Sequence, residues 1–174
     1  AFALGGVDVR DARISWRDEA SGASYNVQHL ALRTGRFVPG EPVDLNLSFD
    51  LDVGAAATTR VILTSRFQLD LERQRLEIPQ LALSVGELAL KANIRGERLR
   101  ESPTWQGTLE VTPFDALKFL RQHGIDYQPT DRNALARIGL KTQLAASGAE
   151  FRLSGLEIRL DESRLTGTLG LRDF

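Results

Sequence analysis

The chain has no cysteine and no methionine, and only two histidines and two tryptophans among its 174 residues. Without cysteine there is no disulfide framework, no thiolate zinc site and no thiol nucleophile. His29 and His123 are too far apart in sequence to form a paired-histidine metal motif, and both read as structural. Neither sign of charge is in excess, since 22 Lys and Arg face 23 Asp and Glu. That balance removes the electrostatic footprint of a nucleic-acid binder and of a polybasic membrane clamp. No apolar run approaches the ~20 residues of a membrane-spanning helix. Phosphate-cradling glycine loops and nucleophile elbows are missing as well. The carboxylates are scattered, and Asp44, Asp50 and Asp52 alternate along one strand as a solvated face, not as an acid/base pair. A non-enzymatic chain with no cofactor and no metal is expected. The lack of methionine, with a start at Ala1 just ahead of a strand pattern, leads to the expectation of a segment from a longer protein.

What is present is alternation. In Val43-Asp44-Leu45-Asn46-Leu47-Ser48-Phe49-Asp50-Leu51-Asp52-Val53 every odd position is apolar and every even one polar, which is a strand with one dry face. The same template fits Val61, Leu63, Phe67, Leu69 and Leu71, then Leu88, Leu90, Ala92 and Ile94, and later Leu165, Gly167, Leu169 and Leu171. Weaker alternation over Val7 to Trp16, Tyr25 to Leu32, Leu76 to Val85, Trp105 to Val111, Leu140 to Leu144 and Phe151 to Leu160 brings the total to about ten strands. Their connections are too short for parallel crossovers, so the sheet is expected to be a curved antiparallel meander.

One stretch departs from this. Thr112-Pro113-Phe114-Asp115 offers an N-cap, a first-turn proline and an early acidic residue, and predicts a helix through Leu117 and Leu120 that ends at Gly124. A second, shorter helix is predicted from Pro129-Thr130-Asp131 with Asn133 to Ile138 as its body. The chain thus reads as one β-rich unit over 1–174: strands over 1–111, a two-helix insert over 112–138 and strands again over 139–174.

Three strands share a spacing. Tyr25-Val27-Leu30-Leu32, Leu76-Ile78-Leu81-Leu83 and Phe151-Leu153-Leu156-Ile158 each step by two, then three, then two. One dry face survives such a step only if an extra residue is bulged out, and Pro79 and Gly155 fall in that position. Ten strands of ~17 Å would present a face of about 800 Å². Two short helices cannot cover it, and a monomer seldom leaves so much apolar surface open. The sheet is therefore expected either to pack on itself as a sandwich or to form a groove for an apolar occupant. A carbohydrate-binding sandwich, using Trp16 and Trp105 as stacking platforms, is a further alternative.

The stretch from Phe114 to Ile125, then Thr130-Asp131-Arg132-Asn133-Ala134-Leu135, then Leu153-Ser154-Gly155-Leu156-Glu157-Ile158-Arg159-Leu160-Asp161-Glu162-Ser163-Arg164-Leu165-Thr166-Gly167, resembles the AsmA family of Gram-negative envelope proteins. The opening Val7 to Trp16, followed by Arg17-Asp18, is similar to a strand of that family too. The resemblance implies a periplasmic β-rich segment of an outer-membrane biogenesis protein, anchored in the inner membrane by a helix that this chain lacks. Through the family's TamB-like relatives it also implies transport of phospholipid along an apolar β-groove. Leu45, Leu47, Phe49, Leu63, Phe67, Leu69, Leu90 and Ile94 then become the residues expected to line that groove. The implied partners are phospholipid or another acyl lipid and flanking segments of the same protein, with no nucleic acid and no catalytic residue. The alternative that remains is a scaffold or assembly factor for outer-membrane proteins with a filled β-core.

Overall fold

The computed structural model describes residues 4–19, 24–53, 57–131 and 134–172. Ten strands run in chain order: β1 (Asp8–Arg17), β2 (Ser24–Thr34), β3 (Pro42–Val53), β4 (Thr59–Asp70), β5 (Arg75–Val85), β6 (Leu88–Glu97), β7 (Thr104–Phe114), β8 (Ile138–Ser147), β9 (Glu150–Leu160) and β10 (Ser163–Arg172). They form one sheet in that same order, and each pairs antiparallel with its chain neighbours. The expected meander is present as one open sheet, and the expected packing on itself as a sandwich does not form among the described residues.

The strands are ten to twelve residues long, so at ~3.4 Å per residue the face approaches 1,600 Å², about twice the value expected from the sequence. The alternation breaks at bulges, and each long strand reads as a shorter half. The bulges fall where the two-three-two spacing places them. The register shifts between Gln28 and Ala31 on β2 and between Ile78 and Leu81 on β5. On β9 it shifts opposite Lys141 and Gln143. His29 and Gly155 are the extra residues, with φ of 50° and 57°, a left-handed conformation that lets one residue leave the ladder without turning the strand over. Asp11 on β1 does the same at φ 50°. Its signal in the sequence is an identical three-step from Val9 to Ala12.

One helix follows β7: α1 (Ala116–Gln122). Its N-cap is Asp115, whose carboxylate accepts a hydrogen bond from the Lys118 amide at 2.8 Å, not the expected Thr112. Pro113 stays in β7, at the irregularity between Val111 and Phe114 and across from Gly139, where a missing amide costs no ladder bond. The C-terminal expectation holds, with Gly124 at φ 76°. The second expected helix does not form among the described residues. Asn133 lies outside them, Ala134 to Arg137 make turns, and Ile138 already belongs to β8. Asp161, in the turn before β10, takes the amides of Leu135 and Arg137 at 2.8 and 2.9 Å. Leu135 is held at φ 65°, outside any right-handed helix.

This single layer has little interior. Among the described residues the buried apolar side chains are Val43, Val61, Ala116 and Leu117, and none falls below 2% exposure. The surface totals 11934 Å², against roughly 8,400 Å² for a compact monomer of this mass. The excess is a sheet face that a second layer would normally cover.

Candidate functional site

Register decides what that face contains. Val9 pairs with Leu32, Leu32 with Leu47, Leu47 with Leu63, Leu63 with Leu83 and Leu83 with Leu90. Leu90 pairs with Val111, Val111 with Leu140, Leu140 with Ile158 and Ile158 with Leu165. One aliphatic side chain from every strand therefore stands in a row from edge to edge. With nine interstrand steps of ~4.8 Å the row is about 43 Å long. A parallel row, Ile78, Ile94, Gly107, Leu144, Leu153 and Leu169, runs beside it over β5 to β10.

All eight groove residues expected from the sequence share this face. Leu47, Leu63 and Leu90 lie in the first row and Ile94 in the second. Leu45, Phe49 and Phe67 lie on the same face because each pairs in phase with β4 or β3, and Leu69 pairs with Leu76 at the strand end. Each of the eight is half-buried by its neighbours in the layer.

Two pieces of chain cover the ends of this face. At one end α1 lies across β4 to β7. The Gln122 carbonyl accepts from the Ala57 amide at 3.1 Å, His123 Nε2 meets Thr59 Oγ1 at 3.1 Å, and Lys118 pairs with Glu87. Leu117 is 5% exposed, and Phe119 packs edge-on against Phe114. At the other end the connection between β2 and β3 folds over. The Gly40 amide donates to the Leu69 carbonyl at 2.8 Å, and Val43, beside Gly35, is 2% exposed.

The opposite face is charged and cross-linked. Arg66 pairs with Asp44 at 2.9 Å and Lys141 with Glu110 at 3.0 Å. Arg75, Glu77, Arg95 and Glu97 form a closed ring of ion pairs between β5 and β6. Solvated pairs of this kind add little stability, but they favour one register over a slipped one. Two hollows of about 670 and 520 Å³ are lined mainly from this polar side, the first among Asn46, Thr64, Gln80, Lys91, Asn93 and Glu110, while the second also reaches Val9, Leu32, Leu47 and Leu63. The groove expected from the sequence is thus a long apolar surface, not a pocket, and sequence reasoning missed the polar hollows. They form only when alternate polar side chains on four or five neighbouring strands come into register.

His29 and Asp50 are part of the polar face. Asp50 accepts from Arg60 at 3.0 Å and contacts His29 Nδ1 at 3.0 Å. The Arg60 hydrogen bond foremost, with His29 adding to it, holds the Asp50 carboxyl below the usual carboxylate range. A depressed folded-state pKa contributes stability above the unfolded value that is lost as pH falls through the folded one. Thermal melts of wild type and Asp50→Asn are accordingly expected to differ slightly near pH 6, with wild type the more stable, and to converge near about pH 2. A difference that grows in acid would contradict this assignment.

The two tryptophans are placed differently. Trp16 is 62% exposed and stacks on Tyr25 at 5.3 Å, while the Trp105 ring lies over Gly96 on the apolar face. Among the described residues no cluster of His, Asp and Glu could hold a metal, and no helix is long and apolar enough to cross a membrane. Comparison with protein-family models, curated proteins and solved structures returned no match.

Proposed function

We propose that the chain is a non-enzymatic segment of an AsmA-like envelope protein, working in the periplasm as part of an inner-membrane-anchored protein, and that it carries phospholipid acyl chains along its apolar face. The observation that supports this reading is the unbroken row from Val9 to Leu165. At about 43 Å it exceeds the ~30 Å hydrocarbon thickness of a whole bilayer, so it offers more than one acyl chain a continuous path. The drive is transfer of acyl groups out of water at about 0.8 kcal/mol per CH₂. Because neighbouring positions along the row are chemically alike, a chain can shift by one strand with no large change in contact. Headgroups stay in water beyond the strand ends.

Titration of delipidated protein with a fluorescent fatty acid tests this reading. Saturable binding of more than one probe per protein, displaced by phospholipid, is expected, together with bound phospholipid in native mass spectra. A folded protein that binds neither would overturn the reading in favour of a scaffold whose apolar face is covered by protein.

A further inference from the structure

We infer that α1 is a lid seated on the flank of the acyl track, beside its stretch over β4 to β7, and displaced by chains that spread sideways off the row; this rests on the acyl-carrier reading above. The helix and a chain spreading from Leu63 toward Val61 compete for the same surface. Thr59 and Val61, on the face that β4 shares with Leu63, are the best-covered residues of that strand, and Thr59 is in contact with His123. On the helix, Ala116 and Leu117 are the buried residues. An acyl chain reaching Val61 would offer β4 apolar cover in place of the seated helix.

The helix is fastened as a movable part. Besides the edge-on contact of Phe119 with Phe114, its ties are polar and few: Lys118 to Glu87, the Gln122 carbonyl to the Ala57 amide, and His123 to Thr59. Water can replace each of these polar ties when the helix lifts. The segment is also rooted firmly at both ends, so that it can leave without unravelling the sheet. Phe114 pairs with Ile138 in the ladder, and Asp161 pins Leu135 and Arg137 through their amides. Between these roots lies by far the longest connection in the meander. At its returning root, the Leu135 amide carbonyl receives the Ala116 amide at 3.0 Å while Leu135 sits at φ 65°. A non-glycine residue holds that conformation only while its surroundings enforce it, and lifting α1 removes one of the enforcing bonds.

A ligand that binds only the lid-open state shifts the population toward it, and its apparent affinity is lowered by the fraction of closed molecules. Hydrogen exchange of the wild-type protein, with and without a saturating fluorescent fatty acid, reads this directly. The Ala57 and Ala116 amides, whose acceptors are the Gln122 and Leu135 carbonyls, are expected to exchange at least about tenfold faster with probe bound. If the probe binds and these amides keep or gain protection, α1 is a fixed wall: the lid is overturned and the track stands. If no probe binds to folded protein, the carrier reading and the lid fall together. Leu117→Ser supplies a second readout, with the β-sheet content checked by circular dichroism. A weakened lid raises probe affinity several-fold, whereas a wall role would lower it.

Discussion

Replacing Gly107 by alanine is expected to cost about 3–5 kcal/mol of folding stability, which places it among the exceptional single substitutions. Gly107 lies inside β7, as its fourth residue, opposite Ile94 on one side and Leu144 on the other. A Cβ built there would sit 2.1 Å from the Asn93 carbonyl oxygen and 3.2 Å from the Ile94 Cα. Those are backbone atoms of the neighbouring strand and cannot rotate away. Relief requires β6 and β7 to separate, which breaks ladder hydrogen bonds in the middle of the sheet and leaves their donors without partners. Gly167 on β10 is the matched control. It also points onto the apolar face, but a Cβ there meets nothing within 4 Å. Gly167→Ala is expected to be neutral or to stabilise by about 0.5–1 kcal/mol, because alanine gives up less backbone freedom in a strand. Urea unfolding of both variants decides the matter. Similar midpoints for the two would refute the close approach at Gly107.

A charge placed in the row is expected to abolish acyl binding, and the same charge one residue away is not. Leu63 and Ile62 are adjacent on β4 and face opposite ways; Leu63 stands in the row, while Ile62 is 41% exposed on the polar side. Leu63 is half-buried beside Leu47 and Leu83, so Leu63→Asp costs some folding stability, and binding is compared on protein whose β-sheet content by circular dichroism matches wild type. A bound acyl chain would strip the carboxylate of its hydration and offer no partner in return, a penalty of several kcal/mol. Each 1.4 kcal/mol lost is about a tenfold fall in affinity, so a loss well above tenfold is expected. Ile62→Asp should bind the fluorescent fatty acid as wild type does. Equal losses in the two variants would mean that the probe does not use this face, and the carrier reading would fail with it.

The sequence carries most of this face in plain view. Alternation along Val43 to Val53 assigns each side chain of β3 to a side, and the two-three-two spacing locates the bulges at His29 and Gly155 before any register is known. The row itself is harder to read, because pairing Leu32 with Leu47 or Leu83 with Leu90 depends on the register that each turn and bulge sets. The errors share one cause. Thr112-Pro113 carries the local chemistry of a helix start, yet cross-strand pairing of Phe114 with Ile138 holds it in β7. Asn133 to Ile138 carries a helical pattern, yet a carboxylate from a distant turn, Asp161, takes its amides. In both places a tertiary partner outweighs a propensity worth less than one kcal/mol per residue. The coverings at the two ends of the face, by α1 and by the connection near Gly40, have no periodic signature at all.

Because every strand pairs only with the strands before and after it in the chain, the sheet behaves as a one-dimensional array, whose stability is close to a sum over hairpins and their shared borders. No distant closure has to be satisfied, so loop-closure entropy is small for an all-β chain. Removing or duplicating a two-strand unit would leave the remaining borders intact and change the length of the row by about 10 Å. The architecture is in this sense a ruler graduated in hairpins: the gap it can bridge is set by how many are strung together.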